Sequence, residues 1–381
     1  MEVFNAANIS EDVLAWNSEL AMSLVVIDVF LGLYIIFGVF GNVMIIYIYN
    51  TRLSIKIDDR IFILALAAVD IVVCVTGPAF SLTRNILPVA FYGNVVCKTL
   101  WFFTKAMNAV SVELVLVIGV ERYLKICRPF GVQMNSKAKM IILVASVIIC
   151  FVGHTPIFFF YGQIPVINIS RNITGHRCGR IHDEHESSLS DTGYLYLLVI
   201  FVLAVGTLGL IVLLYVMIGR RIYKRIKRRA KSSPSKSSEP DPASEAISTT
   251  TTENDTNSSR EVNSVRKSNL PSNASIQKGG HSKRRRTSSV SIKNWREKHR
   301  YSLMFLLIAG ICVVMYIPTL IVNLAVNLDS VYFWNYTSPH LRQLYLYFFQ
   351  VYIVNHVVNP FIYGYFDSAF RTEVKQILCK R

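Results

Sequence analysis

Five stretches of the chain are almost wholly apolar: residues 22–49, 61–82, 140–161, 194–218 and 301–328. At 1.5 Å per residue, each is long enough as a helix to cross a ~30 Å hydrocarbon core. Two further runs are less pure. Residues 100–124 contain Lys105, Asn108 and Glu113, and residues 344–365 contain Gln350, Asn355, His356 and Asn359. Polar side chains inside a span normally face the bundle interior rather than lipid. The pattern therefore predicts an all-α membrane protein, a bundle of seven transmembrane helices with the third and seventh most interior.

The remaining segments read differently. Residues 1–21 form an N-terminal segment, and residues 22–231 hold helices one to five. Residues 232–295 are rich in Ser, Thr and Asn and poor in large apolar residues, so a disordered loop is expected. Residues 296–365 hold helices six and seven. In 366–381, Phe366, Phe370, Val374, Ile377 and Leu378 recur at helical spacing among charges. That predicts an amphipathic eighth helix on the inner membrane surface. Cys379 at its end is a candidate for palmitoylation, with an unmodified thiol as the alternative.

Charge sets the orientation. The chain is 52% hydrophobic and 17% charged, with a net charge of +16. Basic residues crowd the segments after spans one, three, five and seven, whereas the first 21 residues hold four acids and no Lys or Arg. By the positive-inside rule, the N-terminus is extracellular and the C-terminus cytosolic. This distribution argues for membrane lipids as the partner of the basic residues, not nucleic acid. The first apolar run lacks a basic leader and is long enough to span, so it is expected to act as a signal anchor.

Of seven cysteines, only Cys97 and Cys178 fall on the predicted outer side, where disulfides persist. They are expected to pair, two free thiols being the alternative. The sequons at Asn8, Asn168, Asn172 and Asn335 also fall outside and suit glycosylation. Those at Asn254, Asn257 and Asn273 fall in the cytosolic loop, where they stay bare.

Glu121 and Arg122 end the third apolar run, in the interface rather than the midplane. Neighbours in sequence point about 100° apart on a helix. Arg122 reaches Glu121 only by bending, so the pair reads as loose and suited to a switch.

Here a family resemblance enters. The sequence "ERY" (Glu121, Arg122, Tyr123), "NPFIY" from Asn359 to Tyr363, Asp70 in the second run and Gly41-Asn42 in the first resemble the rhodopsin-like (class A) G-protein-coupled receptors. The resemblance covers the whole helical core, and the Cys97–Cys178 pair matches the family's bridge. It implies that Asp70, Asn42, Ser111, Asn355 and Asn359 surround a sodium ion, a protonated Asp70 being the alternative. His356 stands where the family has a small residue, and a charged His356 competes with sodium. The resemblance also implies that Pro360 kinks the seventh helix. Tyr215 and Tyr363 swing toward Arg122, which contacts a heterotrimeric G protein. Arrestin and kinases are further partners implied for the third cytosolic loop.

Departures from the family concern the trigger. Tyr316 replaces a Trp, Cys312 a Phe, Ser146 a Trp and Thr207 a Pro, and Lys298 stands where an acid holds the arginine. Thr104 replaces the Asp of amine receptors, and the seventh run has no Lys for retinal. By helix position, Thr104, Lys105, Asn108, His154, Tyr316, Phe349 and Gln350 are candidate ligand-pocket residues; packing or interhelical hydrogen bonding is the alternative for each. Residues 168–191 mix arginines with "HDEHE", a charged outer loop suited to steering a peptide. His182 and His185 there are weighed as metal ligands against a solvated turn.

The expectation is a plasma-membrane receptor, not an enzyme, for a neuropeptide or peptide hormone. A receptor for a lipid or other small molecule, or a constitutively active one, is the nearest alternative. A channel or transporter is the alternative from another class; the absence of an internal repeat and of paired broken helices speaks against it.

Overall fold

The computed structural model describes residues 10–53, 57–168, 170–181, 187–231, 284–328 and 337–379. The chain divides into two compact units, Met1–Arg225 with His299–Arg381, and Ile226–Lys298.

Helices dominate. Helix α1 is Glu11–Met22, capped by Ser10, whose hydroxyl accepts from the Val13 amide. Helix α2 is Val25–Tyr47 and continues through a π turn, Ile48–Arg52. Helices α3 (Ile57–Ile86), α4 (Asn94–Cys127) and α5 (Ser136–His154) follow, then the single turn α6 (Ile157–Phe160). An antiparallel hairpin pairs β1 (Tyr161–Asn168) with β2 (Ile173–Arg180). Helices α7 (Ser187–Lys231) and α8 (Arg284–Leu328) follow.

Among the described residues, six helical segments are long and apolar enough to cross a membrane: Val25–Arg52, Arg60–Ile86, Asn94–Cys127, Ser136–Phe160, Thr192–Arg225 and Arg300–Val326. Large apolar side chains such as Val202, Leu203 and Leu213 on α7 are exposed, as lipid-facing positions require.

The seventh apolar run is not one continuous helix. It is divided into α9 (Pro339–Gln350), a 3-10 turn (Val351–Ile353), α10 (Val354–Val357) and α11 (Asn359–Phe366). Pro360 at the start of α11 has no backbone N–H to offer the preceding turn. The purely apolar pattern that makes a long uniform helix is replaced here by Asn355, His356 and Asn359, all buried. Gly41 lets α2 approach this break: a Cβ there would collide with the Pro360 ring. Helix α12 (Ser368–Leu378) ends the described chain, capped by Asp367, with Phe370 buried and Cys379 exposed.

Two features were invisible in the hydrophobic pattern. Helix α1 lies within the segment expected only as a terminus. Its Asn17 donates to the Ile86 carbonyl at 2.9 Å and accepts from the Val89 and Ala90 amides at 3.2 and 3.1 Å. The hairpin is the other. It is held by the Cys97–Cys178 disulfide and by mutual backbone bonds, His176 N to Val89 O at 2.7 Å and Phe91 N to His176 O at 2.9 Å. Its turn uses Asn172 at φ 51°, a left-handed position that Asn tolerates. Asn168 and Asn172 both lie at this hairpin tip; Asn8, Asn335, His182 and His185 lie outside the described residues.

Candidate functional site

Three groups of polar side chains line up through the apolar bundle, and each takes a residue from α4. At one end, Glu121 is 2% exposed and gathers three cations. Arg122 Nε lies 3.1 Å from its Oε2, while Lys125 Nζ and Lys139 Nζ lie 2.9 and 2.8 Å from its Oε1. The acid is therefore tightly held, whereas the sequence suggested a loose pair. The missing signal was Lys139, 1% exposed on α5, which no local spacing connects to Glu121. Arg122 itself faces the Phe305 ring on α8 at 5.0 Å. Tyr215 and Tyr363 are buried, with hydroxyls that have no hydrogen-bond partner among the described residues. Tyr123 is half-buried. Lys298 lies in the other unit.

Helix α8 is tied at this end to a different acid. Arg300 Nη1 lies 3.1 Å from Asp367 Oδ1, and the Tyr49 hydroxyl donates to Asp367 Oδ2 at 2.7 Å. Asp367, wholly buried, also caps α12. It thus joins α2, α8 and the α11–α12 junction.

The middle group surrounds Asp70. His356 Nδ1 lies 2.8 Å from Asp70 Oδ1, and the Asn359 amide donates to Oδ2. Ser111 Oγ is 3.4 Å from the same imidazole nitrogen. Asn42 holds the backbone instead, donating to the carbonyls of His356 at 3.0 Å and Gly38 at 2.9 Å. The amide oxygen of Asn355 is buried without a hydrogen-bond partner. All five expected residues are thus near the break in the seventh run, but His356 takes the place at the carboxylate that a cation needs. Both Asp70 oxygens are engaged by the chain, while the amide oxygens of Asn42 and Asn359, like that of Asn355, have no hydrogen-bond partner among the described residues. A lone carboxylate at mid-span costs about 2.5–3.5 kcal/mol or more. Here the compensation comes from the chain itself.

A hydrogen-bond relay connects this group to the third. The Tyr316 hydroxyl donates to Asn108 Oδ1 at 3.4 Å and lies 3.5 Å from His356 Nε2. The tyrosine hydroxyl thus bridges the Asn108 amide and the imidazole. Tyr316 therefore does with a hydroxyl what the Trp expected there cannot.

The third group is a cavity of about 300 Å³, at the small end of ligand pockets. Helices α3, α4, α5, α7, α8 and α9 supply its walls. Of the candidates, Thr104, Lys105, Asn108, His154, Tyr316 and Phe349 line it. Gln350 does not; it lines a smaller adjoining cavity with Arg84 and Asn85. His154 Nδ1 is engaged with its own helix, 2.7 Å from the Cys150 carbonyl. The sequence reading missed Arg84, which lies two residues beyond the second apolar run, and Trp101, which looks like any core aromatic. Arg84 and Lys105 approach the Trp101 ring to 4.8 and 5.3 Å. An adjoining cavity adds Arg177 and Arg180 from β2. Burial first, then the charges of Arg84 and Arg342, weaken the hold of the Arg177 guanidinium on its proton.

The bundle thus holds a cavity linked through Asn108, Tyr316 and His356 to Asp70, and a separate ion cluster around Glu121. Residues 41–363 match the family described as 7 transmembrane receptor (rhodopsin family). The chain belongs to that family: it is a multi-pass membrane receptor and not an enzyme. Individual relatives are more distant. The cholecystokinin receptor type A of Cavia porcellus is 26% identical over 51% of this chain and 45% of its own length. That of Homo sapiens is 25% identical over 54% and 47%. The gastrin/cholecystokinin type B receptor of Sus scrofa is 34% identical over 24% and 20%. The chain thus spans just under half the length of the type A receptors it matches.

Proposed function

We propose that this chain is a plasma-membrane receptor for an extracellular peptide, a neuropeptide or peptide hormone, and that it signals to a heterotrimeric G protein. The cavity and hairpin face outward and the Glu121 cluster faces the cytosol. The seventh run crosses as a broken helix, and α12 lies along the inner leaflet with Cys379 available for palmitoylation. Asn168 and Asn172, at the outward hairpin tip, are glycosylation sites, as are Asn8 and Asn335. Arrestin and kinases act on the third cytosolic loop.

The observation that carries this reading is the relay along α4. Thr104 at the cavity and Arg122 at the inner end are separated by about 27 Å of helix rise. Between them, Asn108, Tyr316, His356 and Asp70 form one connected polar path. A peptide that moves Tyr316 favours one arrangement of α8 over another, which is a population shift with a defined lever. The relatives' names supply peptide hormones as the ligand class. A peptide-library screen on cells expressing the chain, read by cAMP and calcium together, tests the proposal. A peptide that raises either signal only in expressing cells supports it; ligand-free ionic current without nucleotide exchange overturns it.

A further inference from the structure

Arg84 and Lys105 both line the cavity, and both lie against aromatic rings. Arg84 lies 5.6 Å from the Phe80 ring and 4.8 Å from Trp101, and Lys105 lies 5.3 Å from Trp101 and from Phe349. Among the described residues, neither is in an ion pair. The acid in the cavity lining, Glu113, is eight positions along α4 from Lys105, about 12 Å of helix rise; it is engaged by Thr207 at 3.3 Å. Asp28, whose partner Asn85 follows Arg84 in sequence, accepts from Asn85 at 2.7 Å.

The same wall carries donors without acceptors. Among the described residues, Arg84 Nε and Trp101 Nε1 are buried with no hydrogen-bond partner, and so is Thr104 Oγ1. The first two can only donate. Buried polar atoms are rarely left unpaired, and each that is asks for an explanation. Two cations flanking one indole, beside three unpartnered polar atoms, share a simple one: the missing partner is an acceptor-rich, negatively charged group. Cation–π contacts alone do not replace a counter-ion in a site withdrawn from water.

We propose that this wall is a recognition site for a carboxylate of the ligand, held by Arg84 and Lys105 with Trp101 Nε1 and Thr104 completing the contacts. The proposal rests on the peptide-receptor reading and narrows it to peptides that present an acid, at a side chain or at the C-terminus, beside an apolar group that fits against Phe349.

The test uses full-length receptor purified in detergent, without G protein, and follows its melting temperature. The probes are N-acetyl-phenylalanine, which carries the carboxylate, and N-acetyl-phenylalaninamide, its neutral counterpart. At concentrations well above its dissociation constant the acid is expected to raise the melting temperature by about 2–4 °C, and the amide to leave it unchanged. Arg84→Gln and Lys105→Met are each expected to abolish the acid's effect. Lys105→Met is also expected to melt higher than the native chain when no probe is present, because a methionine there needs no counter-ion. Equal shifts from acid and amide, no shift from either, or an acid shift retained in both variants overturns the proposal. If one variant does not fold, the other and the acid–amide comparison decide it. Because no G protein is present, a negative result leaves the coupling reading intact. Conversely, a peptide-driven nucleotide exchange indifferent to loss of the peptide's acids sinks this site alone.

Discussion

Arg300 on α8 is bound to Asp367 at the α11–α12 junction, 3.1 Å apart, with the acid 1% exposed and the arginine 28%. Arg122, by contrast, is bound to Glu121 on its own helix. This ion pair of α8 therefore runs to the α11–α12 junction, not to the "ERY" stretch. Removing one partner of a buried pair is destabilising by about 3–5 kcal/mol; partial exposure of Arg300 lowers that to about 1–3 kcal/mol. Asp367→Asn keeps the side chain's shape and removes its charge. Ligand-free nucleotide exchange is expected to rise about three- to tenfold, with a lower melting temperature. Unchanged basal exchange in a well-expressed Asp367→Asn receptor refutes the role of this tie.

His356 at Asp70 predicts indifference to sodium. The native receptor is expected to melt at the same temperature in sodium and in potassium chloride. His356→Ser removes the imidazole and opens the carboxylate, so this variant is expected to be stabilised by sodium and not by potassium. A sodium-specific rise in the native protein contradicts the arrangement.

Glu121 with three cations is a fixed point, and Lys139 is its least exposed partner. Lys139→Met leaves the acid with Arg122 and Lys125. A loss of about 1–3 kcal/mol is expected, less than for an unpaired buried charge because two partners remain. Thermal unfolding measures it; an unchanged midpoint means that Lys139 adds nothing to the cluster.

The Cys97–Cys178 disulfide closes 81 residues of chain separation. A loop of that size corresponds to about 4–5 kcal/mol in the chain-entropy model. Cys97→Ser and Cys178→Ser are each expected to reduce surface delivery and to free the hairpin that lines the adjoining cavity. Normal delivery and peptide response in both variants shows the bridge to be dispensable.

How far the sequence carried depended on whether a feature was local. Long apolar runs report burial in lipid residue by residue, so five spans were plain before any coordinates, and the third was visible despite its polar residues. The seventh run was also visible, but its division around Val351–Ile353 and Pro360 was not, because hydropathy does not register backbone breaks. Motifs located Arg122, Asp70 and Asn359. They did not reveal that Lys139 or Arg300 would complete the inner ion pairs, since those partners come from other helices. Helix α1 escaped notice because its stabilising contacts, through Asn17, are to the chain 69 to 73 residues away. Arg84 and Trp101 looked like a boundary charge and a core aromatic until the fold brought Lys105 alongside.

The central claim is that what happens at the cavity is delivered to a G protein at Arg122. Nucleotide exchange on a purified heterotrimer measures this directly, using the native receptor and Arg122→Ala at matched surface expression with the peptide found by screening. The native chain is expected to accelerate exchange on peptide addition, and Arg122→Ala to lose that acceleration while still reaching the surface. Equal acceleration by both contradicts the account.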